Sequence, residues 1–224
     1  MDTTYPASYQ GYQEWQSAQQ TVYDNLMSNT TLASEHPMAY IMALMGFLMM
    51  HTQQQVGWNA LEIQGASQIL NVLSNLQGAF SESSGSYNSD IDQPIDEADA
   101  LYNQLEAVPE GSPFYDVAQT VTQQLKAIFP PGWTFPTSGA DYNSVYSWWQ
   151  TQWHAAVDGN TSYITETNTA FSNAISAVNG VSSEFQSENK YYNSSLQEYQ
   201  GFFHDTTQCV ASVESQSVTN QTPN

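Results

Sequence analysis

Apolar residues follow their most regular pattern in the C-terminal third of the chain. Two series each repeat every seven residues, the second offset by four positions from the first, which gives a combined period of 3.5 residues. A seam of this period, uninterrupted by proline over residues 161–218, predicts a long coiled-coil helix over residues 161–215. The first series is Ile164, Phe171, Val178, Phe185, Tyr192 and Tyr199, and the second is Ile175, Ser182, Asn189, Leu196, Phe203 and Val210.

A second long helix is predicted over residues 37–80, which contain no proline after Pro37. Proline suits the first turn of a helix, where its missing N–H has no intrahelical partner in any case. Residues 38–50 are apolar nearly all round and include five methionines, whereas the rest of the segment narrows to one apolar stripe. Gly57 weakens the helix between the two parts, so we expect a bend near it.

The remaining segments predict shorter helices. In residues 9–27, apolar and aromatic positions recur at spacings of three and four, which indicates one amphipathic helix, and residues 30–36 are expected to break it. Residues 81–160 are cut by six prolines and are predicted to be irregular. Short helices are expected there over residues 96–108, 113–129 and 141–157. The aromatic side chains that distinguish this insert are Trp133, Phe135, Tyr142, Tyr146, Trp149 and Trp153.

Together these patterns predict a single all-α domain over residues 1–224. The two long helices, joined by the insert, are expected to form an antiparallel coiled-coil hairpin. No stretch alternates apolar and polar residues for long enough to predict a sheet. The predicted parts are an N-terminal lead with a short helix (1–36), the apolar long helix (37–80), the irregular aromatic-rich insert (81–160), the coiled-coil helix (161–215) and a flexible tail (216–224).

The charge balance excludes several classes of partner. The chain has 22 acidic residues, two lysines and no arginine, which gives a net charge of −20. With only two cations it cannot form a phosphate-binding groove, so nucleic acid and anionic membrane surfaces are excluded as partners. The longest uncharged apolar run, residues 38–50, is shorter than the about 18 residues that a membrane span needs. Residues 1–12 contain neither the basic nor the apolar part of a cleaved signal peptide.

The sequence contains no pattern that predicts catalysis, a cofactor or a metal site. The acidic run of residues 90–99 lacks the central glycine and the closing glutamate of a calcium loop. No serine lies in a nucleophile elbow, so we expect that the protein is not an enzyme. The single Cys209 excludes an intrachain disulfide and is expected to pack in its helix as a small apolar residue. The histidines share no metal-binding spacing and are expected to be isolated; they are His36, His51, His154 and His204.

The order of these segments resembles the EspA/SseB family of type III secretion filament and translocator proteins. The likeness lies in a polar N-terminal lead, a Met-rich apolar helix (MAYIMALMGFLMMHTQQQVGWNALEIQGASQIL), an irregular middle and a long C-terminal coiled-coil helix. It covers residues 38–80 and 161–213. The resemblance implies a virulence-associated, secreted structural subunit of a secretion appendage, in its filament, its tip or its translocator. It also implies export without a cleaved signal peptide, self-association, and a secretion chaperone as a second partner.

We expect the Met-rich segment and the seam to contact a neighbouring subunit or a chaperone, as a helix laid in an apolar groove. The competing expectation is that the aromatic insert folds back and covers the Met-rich segment within one chain. The alternative function is a monomeric helical secreted effector or binding protein that engages a protein partner through its insert; a mass of 24.9 kDa in solution would fit only this alternative. The predicted contact residues are Tyr40, Ile41, Leu44, Phe47, Leu48, Ile164, Phe171, Ile175, Val178, Phe185, Tyr192, Leu196, Tyr199 and Phe203.

Overall fold

The computed structural model describes residues 4–82, 92–128 and 161–221, and these residues form α-helices without a β-strand. The all-α prediction is therefore confirmed for this part of the chain. The two long helices, α3 and α6, also pack against each other. The helices are α1 (Thr4–Ser28), α2 (Thr30–Glu35), α3 (Pro37–Glu82), α4 (Asp92–Glu106), α5 (Tyr115–Ile128) and α6 (Thr161–Gln221).

Residues 30–36 were expected to break the first helix, and α1 does end at Ser28, but most of these residues form a short helix of their own, α2. The side-chain oxygen of Asn29 accepts a hydrogen bond from the backbone N–H of Leu32 at 3.0 Å, which caps the first turn. The backbone N–H of His36 donates to the Leu32 carbonyl at 2.9 Å. Only Asn29 and His36 interrupt the helices, so the chain passes from α1 to α3 through a short helix.

The two long helices extend a little beyond their predicted ends. α3 has 46 residues and continues without interruption through Gly57, which lies exposed on its surface. A bend at that glycine stays a prediction. α6 has 61 residues and runs to Gln221, so residues 216–221, which we expected in a flexible tail, belong to the helix. No proline occurs in α6 to end it earlier.

The insert contains two of its predicted short helices, α4 and α5, which pack against each other. The turn between them passes through Gly111, whose φ of 88° lies in the left-handed region that favours glycine. The side-chain hydroxyl of Ser112 accepts a hydrogen bond from the N–H of Phe114 at 3.2 Å just before α5. Residues 129–160 lie outside the described residues, so the helix over 141–157 and the placement of the insert's aromatic side chains stay predictions.

Contacts divide the chain into two compact units, and both long helices contribute residues to each unit. The first unit comprises Met1–Tyr9 and Glu62–Glu184, and the second unit comprises Gln10–Leu61 and Phe185–Asn224. The prediction of a single domain stays a prediction. The largest fully buried side chains of the described residues all belong to the first unit, and they are Phe114, Phe171, Leu73, Leu76, Leu101, Leu125, Ile128 and Val121.

Candidate functional site

The candidate site is the apolar surface of the second unit. Of the buried apolar residues that the structure describes, only Met45, Phe47 and Phe185 belong to this unit. Large apolar side chains that remain exposed mark surfaces that another molecule can cover. In the described residues every such side chain lies in the second unit, and together they are Val22, Tyr23, Met27, Met38, Met50, Leu61, Tyr191, Phe202 and Val213.

The seam of α6 changes in burial along the helix. In the first unit its members are buried, except for Ile175, which is half-buried, and Ile164, whose side chain lies outside the described residues. Phe185 is the last buried member. Beyond it the seam continues to Val210, about seven helical turns, without a fully buried position. The half-buried members there are Asn189, Tyr192, Leu196, Tyr199, Phe203 and Val210.

Leu196 and Phe203 are half-buried in the isolated chain, so their expected burial against α3 or against another chain stays a prediction. The seam positions are nevertheless the less exposed side of α6 throughout, as a period of 3.5 residues requires. The C-terminal part of the seam is therefore an apolar surface that the described residues cover only in part.

The Met-rich segment of α3 is also covered in part. Phe47 is buried, and the other predicted contact residues of this segment, Tyr40, Ile41, Leu44 and Leu48, are half-buried. The cover that the structure describes comes from α1, which the sequence expectations did not consider. The Tyr23 ring lies 6.0 Å from the Phe47 ring, and the Tyr40 hydroxyl donates to the Met27 sulfur at 3.5 Å.

An aromatic cluster joins α1 to α3 and includes His51. The Trp15 ring stacks on His51 at 5.0 Å and 20°, and the Phe47 ring lies against it at 5.8 Å and 25°. The indole N–H of Trp15 donates to the side-chain oxygen of Gln54. Burial in this cluster lowers the pKa of His51 below its ordinary value of 6.5. His51 is therefore a packing residue whose neutral form the fold favours.

A second set of rings extends the cluster toward α6. Tyr12 meets Trp58 edge-on at 5.4 Å, and its hydroxyl oxygen accepts a hydrogen bond from the Gln55 amide at 3.4 Å. Burial, together with the nearby carboxylate of Glu188 and the hydroxyl of Tyr12, raises the pKa of Tyr192. The apolar stripe of α1 at spacings of three and four predicted this helix, but no local pattern shows which rings of α3 it would meet.

A cavity of about 570 Å³ opens between α1 and α3 beside the cluster. Two polar atoms of the lining residues are buried and have no hydrogen-bond partner among the described residues. They are the side-chain oxygen of Gln19 and the Nδ1 atom of His51. The cavity is lined mainly by amide, hydroxyl and apolar groups, together with the His51 ring. The lining residues are Gln16, Ser17, Gln19, Gln20, Tyr23, Phe47, Leu48 and His51.

The outer surface of α6 carries a further apolar feature that the sequence expectations missed. Tyr191, Phe202 and Val213 are 69%, 54% and 61% exposed and follow one another at intervals of eleven residues. Cys209 is exposed as well, so the expectation that it packs as an apolar residue is wrong. The interval of eleven could have been read from the sequence, but the stronger seam of period 3.5 in the same helix obscured it.

Metal binding, membrane crossing and similarity to known proteins were each considered for the chain. In the described ranges, no group of three or more His, Cys, Asp or Glu side chains could hold a metal ion. Within the same ranges, no helix combines the length and the apolar character that crossing a membrane requires. No family model, curated protein or solved structure matches the chain.

Proposed function

We propose that this protein is a secreted structural subunit of a bacterial secretion appendage, in its filament, its tip or its translocator, and that it acts by self-association of its helices. One observation carries the proposal: every exposed large apolar side chain of the described residues lies in the second unit. Apolar side chains scattered singly over a surface need no explanation. Their concentration in one unit favours a contact with another protein. The resemblance to the EspA/SseB family supplies the class of assembly.

The proposed contact combines the two long helices. We take α3 and α6 to form an antiparallel coiled-coil hairpin, in which the Asn59 amide donates to the Glu188 carboxylate at 3.2 Å. The half-buried seam beyond Phe185 is then completed by a neighbouring subunit. Fully burying a Leu or Phe side chain contributes about 1.5–3 kcal/mol, so completing the burial of Leu196 and Phe203 contributes a sizeable part of that for each.

Before assembly the same surface would promote aggregation, because exposed apolar patches associate without specificity. A secretion chaperone that covers residues 38–50 would prevent this inside the cell. Its groove would receive the segment as an amphipathic helix. The subunit would then leave the cell without a cleaved signal peptide and assemble outside it.

The test is the solution mass of the purified chain by size-exclusion chromatography with light scattering. We expect oligomers larger than 24.9 kDa in the parent. The double substitution Leu44→Glu with Leu48→Glu places two charges in the apolar contact and should abolish association or chaperone binding. Its circular dichroism should keep most of the helical signal, because these side chains are only half-buried in the isolated chain.

A matched control exists in the same helix. Asn71→Glu with Asn75→Glu adds the same charges at the same spacing to exposed positions of α3, and should leave both mass and helicity unchanged. A parent that is monomeric at every concentration, with residues 38–50 resistant to chymotrypsin, would contradict self-association. The alternative of a monomeric binding protein would then be correct.

A further inference from the structure

The exposed residues Tyr191, Phe202 and Val213 lie on one face of α6. Eleven residues advance an ideal helix by three turns and about 20°, so three positions at this interval stay within about 40° of one another. They are spaced about 16 Å apart along the helix, and Phe202 stands midway between the other two. We call these residues, with those between them on the same face, the outer stripe. The intervening residues are Ser195, Glu198, Thr206 and Cys209.

The outer stripe is distinct from the seam. The seam residues Leu196 and Phe203 each follow a stripe residue by one position, which rotates them about 100° around the helix axis. The seam residues are half-buried, whereas Phe202 is more than half exposed. The three large stripe residues are thus exposed beside the half-buried seam, whereas the small stripe residues Ser195 and Thr206 are half-buried.

We propose that the outer stripe binds the outer stripe of a second copy of this chain, with the two α6 helices antiparallel about a two-fold axis at Phe202. The inference rests on the proposed function, because it names one of the surfaces through which the subunits associate. A two-fold contact is self-complementary: if one residue meets a second, the second meets the first. The equal spacing on either side of Phe202 satisfies this condition.

The antiparallel arrangement determines which residues face each other. Phe202 lies opposite the partner's Phe202, and Tyr191 lies opposite the partner's Val213. Two small residues, Ser195 and the partner's Cys209, also lie opposite each other, and their size allows the helices to approach closely. The large side chains thus alternate with small ones along the contact, which suits interdigitation.

Charge favours a second copy in this orientation. The chain carries a net charge of −20, so copies of it repel one another, but the stripe contains only one carboxylate, Glu198. In the antiparallel pair Glu198 lies opposite the partner's Thr206, whose hydroxyl can donate a hydrogen bond to it. In a parallel pair Glu198 would lie opposite the partner's Glu198, and two like charges at close range repel.

The test uses the full chain with Ser195→Cys, mild oxidation and a non-reducing gel. We expect most of the chain to convert to a covalent dimer, with a disulfide between position 195 and the partner's Cys209 identified by peptide mass. The two positions of one chain lie 14 residues apart on α6, about 21 Å, whereas a disulfide needs Cα atoms within about 7 Å. Every such disulfide must therefore join two chains.

The control is Ser194→Cys, which places the thiol on the neighbouring exposed position, about 100° around the helix. It should give little or no linkage to Cys209. Light scattering on the same samples tests self-association of the chain separately from the stripe contact. A parent that associates, while the Ser195→Cys variant gives no 195–209 disulfide or only a link between two copies of Cys209, overturns the stripe contact and leaves the proposed function standing. A monomeric parent overturns both.

Discussion

Phe114 in the first unit and Phe202 in the second are the same side chain at opposite extremes, 1% and 54% exposed. The contrast extends to the units themselves. The first unit contains every fully buried large side chain of the described residues, and the second contains every exposed large apolar one. A single chain thus fills the apolar core of the first unit with its own side chains. In the second unit it leaves part of the apolar surface exposed to solvent.

The distribution of charge follows the same division. Of the 22 acidic residues, fifteen fall in the first unit and seven in the second, and residues 36–61 contain neither an acidic nor a basic side chain apart from two histidines. Because like charges oppose association, the less charged unit is the one in which copies of the chain can approach. The comparison shows that the buried core lies in the first unit and the exposed apolar surface in the less acidic second unit, where we propose that copies meet.

The strongest test of this comparison makes the same substitution in both units. Phe114→Ala removes a fully buried ring and should lower the free energy of unfolding by about 3–5 kcal/mol. Phe202→Ala removes an exposed ring and should change it by less than about 0.5 kcal/mol under conditions where the chain is monomeric. Urea unfolding followed by circular dichroism measures both. Equal losses would show that the units do not differ.

A smaller effect of opposite sign is expected in the core of the first unit. The buried hydroxyl of Thr122 has no hydrogen-bond partner among the described residues, so Thr122→Val should raise the free energy of unfolding by up to about 1 kcal/mol. The matched control is Thr120→Val in the same helix, whose hydroxyl donates to the Asp116 carbonyl at 2.9 Å. A destabilised Thr122→Val variant would mean that this hydroxyl has a partner.

Two glycines of α6, one in each unit, allow the same backbone substitution to be made in both units. A Cβ atom at Gly180 or Gly201 would meet nothing within 4 Å, and each glycine costs a helix interior about 0.5–1 kcal/mol relative to alanine. Gly180→Ala in the first unit and Gly201→Ala in the second should therefore stabilise the monomer equally, as measured by thermal unfolding. Weaker association in Gly201→Ala alone would show that this face of the second unit also lies in a contact.

The smallest effect concerns pH and the aromatic cluster of the second unit. Because burial lowers the pKa of His51 in the folded chain, the unfolded chain binds the proton more readily. The contribution of this group to stability is complete above its ordinary pKa of 6.5 and is lost as the pH falls below it. Urea midpoints measured above and below this pH should differ more in the parent than in His51→Gln. Identical differences would show that another group carries the pH dependence.

The helices themselves could be predicted from local patterns, because periodicity and proline positions are properties of a single segment. The seam placed α6 correctly, and Pro37 marked the start of α3. The omission of α2 was avoidable, since Asn29 is a favoured capping residue and stands directly before a segment that can form a helix.

The contacts between helices could not be predicted in the same way. Nothing near Trp15 indicates that its ring will stack on His51, 36 residues further along the chain. The burial gradient along the seam is equally hidden, because Val178 and Phe203 both occupy seam positions, and only the packed structure shows that one is buried and the other half-buried. The candidate site is defined by this difference in cover, so the sequence identified the seam and the Met-rich segment but missed the exposed side chains of α1 and of the outer face of α6.

The two lysines offer chemists an unusual opportunity for site-specific labelling. Hydrogen bonds to Tyr102 and Glu106 raise the pKa of Lys126, whose ammonium lies 3.1 Å from the Glu106 carboxylate. Lys190 is the other side-chain amine of the sequence, and it lies exposed on α6. An amine-reactive dye at Lys190 and a thiol-reactive dye at Cys209 would stand 19 residues apart, about 28 Å along the helix. Energy transfer between the dyes would report directly whether this part of α6 stays helical when the copies meet.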